Sequence, residues 1–333
     1  MINNNITSCK LQDSTEFFTA DQILTDLSST GKDRKWRERK MANELLALAY
    51  DSIDEKKAMR LRDCANILTY RVYDDGQKRV DSINSCRIRL CPICAWRRSL
   101  KVFYNTQKII EYLNNKQQYS YIFLTLTMRN CKADELNDTL DLVFKSWNRF
   151  MQLDSLKSAV KGWYRGLEIT HNCDYNSESY DTYHPHIHCI FAVNKSYFTS
   201  KNYISQEKFS KLWAQSARLD YKPICDIRKI KGDYNKAVAE LSKYSCKTND
   251  YIITDDWDLT IESVRTLDVA LRNRRLVAYG GIMRDINKLL KLEDAENGSL
   301  LDVGDNADKL DGDYFLESYF WYSGYRQYYK IVD

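Results

Sequence analysis

The stretch Tyr183-His-Pro-His-Ile-His-Cys-Ile-Phe-Ala-Val193 decides how this chain is read, because it holds three of the four histidines, and the fourth, His171, lies just upstream. Its second half is an uninterrupted apolar run, the mark of a buried strand. Side chains at i and i+2 of a strand leave on the same face. His186 and His188 therefore stand side by side while Ile187 turns into the core. Two neutral imidazoles on one face are a metal-ligand pair. The alternative is a histidine-rich hairpin with solvated imidazoles. A chain that spends its whole histidine supply around one apolar strand argues against that.

Working outward, Trp163 to Thr170 reads as the preceding strand, and the polar stretch His171 to Tyr183 as the loop of a long hairpin. Glu168 then lies beside the histidines. A buried carboxylate without a cationic neighbour is costly, so a third ligand role would explain it. On Glu168 alone, an edge glutamate facing water stays equally open. Tyr119 to Thr127 is dense in aromatic and β-branched residues and reads as an interior strand. Leu136, Leu140, Val143, Phe144, Trp147, Phe150 and Met151 form one helical stripe that should pack on the sheet. Ser205 to Leu219 reads as another helix and Pro223 to Ile230 as a returning strand. Strands and helices so mixed point to an α+β chain.

With 333 residues, 44% hydrophobic and 13% aromatic, the chain can bury a full core in two or three units. Its formal charge of +4 hides an asymmetry: six of the nine residues from Lys32 to Lys40 are basic, while Glu293 to Asp313 carries eight acidic residues against Lys309 alone. That suits a nucleic-acid face and an acidic tail, although a charge run is more often a solvated helix face. No stretch approaches the roughly twenty apolar residues of a membrane span, and no export signal opens the chain. The expectation is a cytoplasmic protein, with no membrane partner, whose ten cysteines are reduced thiols or thiolate ligands.

Four of those cysteines, Cys64, Cys86, Cys91 and Cys94, have ligand spacing. Two sulfurs three residues apart grip one tetrahedral ion in a tight turn, and the other two close the site, which points to structural Zn2+. Buried free thiols are the alternative. Arg87, Arg89, Arg97 and Arg98 flank the cysteines and are expected to meet phosphates. Around this unit, Arg34 to Tyr50 and Asp54 to Leu61 have helical composition, Tyr70 to Val80 reads as a hairpin, and Trp96 to Leu113 as a basic helix.

A further helix is expected over Tyr234 to Lys247, and Glu240, Tyr244 and Lys247 would then project on one face. A tyrosine so placed can be a nucleophile when a metal polarises the electrophile and cations favour the phenolate. Taken alone, the trio is more simply a surface Glu-to-Lys pairing beside a half-buried tyrosine.

In order along the chain, Phe123 to Thr127, His184 to His188 and Glu240 to Lys247 resemble the motifs of the HUH endonucleases. More closely, the chain resembles the rolling-circle replication initiators of bacterial plasmids, in the branch with one tyrosine and a glutamate four residues before it. The resemblance runs from about Trp36 to Leu290 and includes Cys86 to Arg98 and Arg275 to Gly281. It implies an α+β fold, a central antiparallel sheet of about five strands with the two histidines central and helices flanking it, and Mg2+ or Mn2+ held by His186, His188 and Glu168, with Tyr244 attacking the scissile phosphate. Lys247 would orient the phosphate or the metal, and His184 would support the ligands from behind. The substrate implied is the plasmid double-strand origin, single-stranded at the nick. The product is a 5′-phosphotyrosine with a free 3′-hydroxyl, which host helicase and DNA polymerase use. Glu240 would activate water for a second cut, unless a second subunit supplies that step; a homodimer stays open.

The implied organisation is an N-terminal extension over 1–30, a basic cysteine-rich DNA-binding unit over 31–115, a nicking domain over 116–259 and an origin-binding or assembly region over 260–333. The aromatic stretch Tyr314 to Tyr329 reads as a docked hairpin or a partner surface. A related transposase or relaxase is the nearest alternative, but relaxases place the tyrosine ahead of the histidine strand and the small transposases lack the cysteine unit. A non-catalytic zinc-bearing DNA-binding regulator leaves the histidine strand unexplained, and a nuclease using activated water leaves Tyr244 idle.

Overall fold

The computed structural model describes residues 22–28, 30–116, 119–231, 234–241, 246–304 and 312–332, the side chains of Lys236, Glu240 and Leu241 excepted. Two helices, α1 (Trp36–Asp51) and α2 (Glu55–Asp63), lead into the hairpin β1 (Ile67–Tyr73) and β2 (Lys78–Ile83). The long helix α3 (Pro92–Lys116) starts inside the cysteine turn, earlier than its basic stretch suggests. Then follow β3 (Tyr119–Thr127), α4 (Leu136–Gln152), α5 (Asp154–Ala159), β4 (Val160–Asn172) and β5 (Thr182–Asn194). The chain continues with α6 (Gln206–Ala217), β6 (Cys225–Lys229), α7 (Tyr234–Leu241), α8 (Trp257–Ala270), β7 (Val277–Gly281) and α9 (Ile282–Leu289). The hairpin β8 (Tyr314–Tyr322) and β9 (Gln327–Lys330) closes it.

The larger sheet has five antiparallel strands in the order β6-β3-β5-β4-β7, so the histidine strand β5 is its middle member. This is the α+β architecture expected. Alternation sorts β5 cleanly between two cores. Ile187, Cys189, Phe191 and Val193 face α4 and α6, where Phe150 packs edge-on against Trp213 at 5.6 Å. Ile190 and Ala192 face the opposite way and join Tyr121, Phe123 and Tyr164 under α3, α7 and α9. His184, His186 and His188 belong to this second face by register, so α7 packs through Val238 on the same side of the sheet as the histidines.

At β7 the chain passes close to β4. A Cβ at Gly280 would fall about 2.0 Å from the Trp163 ring, and Gly281 adopts φ 54° and would meet the Lys161 carbonyl at 2.3 Å. Only glycine fits both positions.

The smaller sheet joins the two ends of the chain. Its order is β2-β1-β8-β9, with β8 antiparallel to β1 from Ile67 opposite Phe320 to Tyr73 opposite Tyr314. The tail is thus a docked hairpin. Leu68, Tyr70, Tyr319, Trp321 and Tyr328 are buried on its inner face and share a core with Trp36, Tyr50 and the cysteines. Among the described residues, no helix is long and apolar enough to cross a membrane.

One expected element does not reach its expected end. Helix α7 is described to Leu241, 242–245 lie outside the described residues, and Lys247 adopts extended dihedrals (φ −80°, ψ 153°) ahead of a 3-10 turn over Thr248–Asp250. The Lys247 N–H donates to Asp250 Oδ2 at 2.7 Å, a side-chain cap that starts a new turn and makes helical continuation through Lys247 impossible. Lys247 therefore does not share a helical face with Glu240.

Candidate functional site

Strand register assembles the site. Glu168 of β4 lies directly opposite His186 of β5, and Thr125 of β3 lies opposite His188. Directly paired residues share a face with Cβ atoms about 4.5–5.5 Å apart. Glu168 Oε2 is consequently 2.9 Å from His188 Nε2 and 3.5 Å from His186 Nε2. The three ligand atoms lie within 4.8 Å of one another. The histidine side chains retain 11% and 16% exposure, so the cluster is reachable from solvent on one side.

The other ring nitrogens are held from behind. His186 Nδ1 sits 3.1 Å from the His184 carbonyl, which can only accept, so Nδ1 carries the proton and Nε2 presents its lone pair. His188 Nδ1 is 3.1 Å from Thr125 Oγ1. A lone pair 3.5 Å from a carboxylate oxygen is unfavourable unless a proton or a cation lies between them. This donor set of two imidazole nitrogens and one carboxylate oxygen, open on one side, fits a divalent ion of the Mg2+, Mn2+ or Zn2+ kind.

Lys247 reaches the same carboxylate from the other side, its Nζ 3.1 Å from Glu168 Oε1. Burial pushes the Glu168 carboxyl up, but the neighbouring His186, His188 and Lys247 outweigh it and hold it well below the ordinary range. Burial and the neighbouring His186 lower the basicity of His184. The structure thus gathers Glu168, His186, His188 and Lys247. Tyr244 lies outside the described residues, as does the side chain of Glu240. His171 is elsewhere. It is buried on the opposite face, stacked on Tyr183 at 4.2 Å, and bonded to Asp181 and the Asp250 carbonyl. Thr125 was missed by the sequence reading. Its signal lies in the Leu-Thr-Leu-Thr pattern, which acquires meaning only once the register to His188 is known.

The second cluster has sulfur spacings that fit a tetrahedral site. Cys64 Sγ lies 3.7 Å from the sulfurs of Cys91 and Cys94, and Cys86 Sγ 3.7 Å from Cys94. A regular tetrahedron with metal–sulfur bonds of about 2.3 Å has edges of about 3.8 Å. Backbone N–H groups of Cys86, Arg87 and Cys94 point at Cys64, Cys94 and Cys91 sulfurs at 3.3–3.5 Å, an environment suited to thiolates. All four cysteines are buried, and the four sulfurs can bind a metal ion.

The arginines beside them bond within the chain, although Arg87 is exposed and Arg89 and Arg98 are half-buried. Arg97 is 1% exposed and donates to the carbonyls of Leu300 and Leu301. Arg98 caps the carbonyls of Arg87, Ile88 and Glu296, and Arg89 pairs with Glu296. Arg87 reaches the carbonyls of Asn297 and Gly298. The expectation that they meet phosphates is overturned for Arg97 outright. These groups pin the acidic segment 293–301 onto α3, since carbonyls at a loop need donors and the guanidinium supplies several.

Comparison with known proteins gives the family. The replication protein family model matches residues 77–329. A rep protein of Bacillus amyloliquefaciens is 38% identical, the alignment covering 92% of this chain and 96% of that protein. Rep proteins of Streptococcus pneumoniae and Lactiplantibacillus plantarum are each 34% identical, over 87% and 85% of this chain and 90% of each relative. No solved structure matches the chain. The chain therefore belongs to the replication protein family, in agreement with the resemblance to plasmid replication initiators that its own motifs carry.

Proposed function

We propose that this protein starts plasmid replication by nicking one strand of the double-strand origin, with Tyr244 as nucleophile. The observation that supports this most is the convergence of Glu168, His186 and His188 on one open face of the sheet, with Lys247, three residues after Tyr244 in the chain, bonded to the same carboxylate. Glu168, His186 and His188 would hold a Mg2+ or Mn2+ ion, which when bound draws charge from a non-bridging phosphate oxygen. The Tyr244 oxygen attacks phosphorus in line, and the bond to the 3′-oxygen breaks. The phenol gives its proton to solvent or a base, and the 3′-oxygen leaves as a hydroxyl after taking up a proton. Lys247 steadies Glu168 and adds positive charge near the transferring phosphate.

Glu240 serves as general base for water in the second cut, which releases the unit-length product. Cys64, Cys86, Cys91 and Cys94 hold one structural zinc. In this reading 116–259 is the nicking domain, 31–115 the cysteine-rich DNA-binding unit and 260–333 the origin-binding or assembly region, behind an extension over 1–30. The work belongs in the cytoplasm, where host helicase and polymerase extend the 3′-hydroxyl; a homodimer would supply a second tyrosine.

The test is incubation of the full chain with a single-stranded oligonucleotide spanning the origin nick and Mn2+. A DNA adduct that survives boiling in detergent, and is lost in Tyr244→Phe, is expected. Clean cleavage without an adduct would instead mean an activated-water nuclease, and binding alone a regulator.

A further inference from the structure

Among the described residues, the smaller sheet is covered on one face only. Alternation puts Ile67, Thr69 and Arg71 of β1 beside Leu316, Ser318 and Phe320 of β8 on the side away from the core. Leu316 is 57% exposed, Phe320 37% and Tyr325, in the turn of the hairpin, 61%. The rings form a continuous series. Phe320 and Tyr322 are 5.2 Å apart, Tyr322 and Tyr329 5.7 Å, and Tyr329 and Tyr325 6.0 Å. Beside them, between α1 and the hairpin turn, opens a cleft of about 650 Å³ lined by Leu48, Arg62 and Asn66. A contiguous aromatic surface of this kind marks a binding site.

Its charge says for what. The basic run starting at Lys32 borders the hairpin turn, where Arg37 Nε donates to the Arg326 carbonyl at 2.8 Å. Lys32, Lys35 and Arg37 are exposed. Arg71 lies over the Tyr314 ring at 5.2 Å. Of the acids nearby, Asp51 and Asp81 pair with Arg62 and Arg71 in exposed ion pairs, and Glu44, which lines the cleft, accepts from Trp321 Nε1. Such pairs contribute little and yield readily to phosphates. Exposed rings rimmed by cations match single-stranded nucleic acid, whose unstacked bases lie on aromatic faces while the backbone follows the positive charge. Duplex bases are already stacked and gain nothing from such a surface.

We propose that the outward face of the β2-β1-β8-β9 sheet is a stacking platform for single-stranded DNA, separate from the metal-bearing sheet. It receives unpaired strand without regard to sequence, through Phe320, Tyr322, Tyr325 and Tyr329, with Arg37, Arg62 and Arg71 on the phosphates.

The experiment is binding of fluorescein-labelled oligothymidylate to the full chain without added Mg2+ or Mn2+, which keeps nicking out of the measurement, leaves the cysteine-bound metal in place and makes the result independent of the nicking reading. Phe320→Leu and Tyr325→Leu are each expected to weaken binding by about tenfold. Phe320→Trp and Tyr325→Trp restore it, because a ring is required and apolar surface is not enough. Unlabelled duplex of equal length competes poorly. Should Phe320→Leu lower the melting temperature, Tyr325→Leu, in the exposed turn, decides. No binding by the unaltered chain, leucine variants that bind like it, or equal competition by duplex would each overturn the proposal and leave the face to a protein partner or a second copy.

Discussion

His186 Nδ1 faces the carbonyl of His184, two residues earlier on the same strand, at 3.1 Å, and that single contact turns His186 Nε2 toward Glu168. His188 is oriented independently, through Thr125 of the neighbouring strand. The two ligand candidates are therefore fixed by different means, one by its own backbone and one by a replaceable side chain.

That difference is testable. His186→Ala or His188→Ala should abolish nicking while shifting the melting temperature by no more than about 2–4 °C, since an open site contributes little to folding. Thr125→Val should weaken Mn2+ affinity by roughly tenfold, as loss of an orienting partner does. Titration of Mn2+ into each variant, with melting curves alongside, reads both. Equal loss of stability and activity in the histidine variants would make the cluster structural.

The cysteine cluster should behave oppositely. Metal analysis should find about one equivalent of zinc retained through dialysis, and serine at Cys91 or Cys94 should release it and unfold the unit around α1 to α3. Tyr251 couples this cluster to the candidate site, because its hydroxyl donates to the Leu90 carbonyl at 2.6 Å while Lys247, just upstream, bonds Glu168. Zinc extraction should therefore lower nicking as well. Zinc retained in a Cys91→Ser, Cys94→Ser double variant would contradict the assignment.

Glu240 separates the two cuts. Glu240→Ala should still nick and form the adduct, yet fail to release unit-length circles and accumulate longer products. A variant dead in the first nick would make Glu240 a metal ligand or the base for Tyr244.

Acid should loosen the hairpin β8-β9. Burial tends to raise the Glu317 carboxyl, but bonds from Lys330, Lys78 and Tyr319 outweigh it and bring it down to about 2 from an ordinary 4.5. A carboxyl whose pKa is depressed by folding stabilises fully above the unfolded value, and that contribution is lost as pH falls from about 4.5 through about 2. Glu317→Gln should accordingly lower the melting temperature by roughly 2–4 °C at pH 7, with the difference shrinking toward pH 2. A difference that is independent of pH would show that the ion pairs with Lys78 and Lys330 do not carry it.

Much of this was legible because the signals are local. Alternate histidines, the apolar stripe of α4 and the spacing of Cys86, Cys91 and Cys94 depend only on strand and helix geometry, whereas the count of five strands came with the family resemblance. What was not legible depends on partners distant in sequence. Nothing near Arg97 announces that it will be buried against the carbonyls of Leu300 and Leu301. Nothing in Tyr314 to Tyr322 says that it will pair with Ile67 to Tyr73. Lys247 was placed on a helix because periodicity alone cannot register the cap from Asp250 that begins a new turn. It reaches Glu168 all the same, by way of an extended residue.

Tyr244 as nucleophile is read from the adduct itself. The chain is reacted with origin oligonucleotide and Mn2+, digested, and the DNA-linked peptide is sequenced by mass spectrometry. One modified peptide is expected, carrying its nucleotide through a 5′-phosphate on Tyr244, and none from His186→Ala. A nucleotide on any other of the twenty-four tyrosines, or an adduct formed as well by His186→Ala, would contradict it.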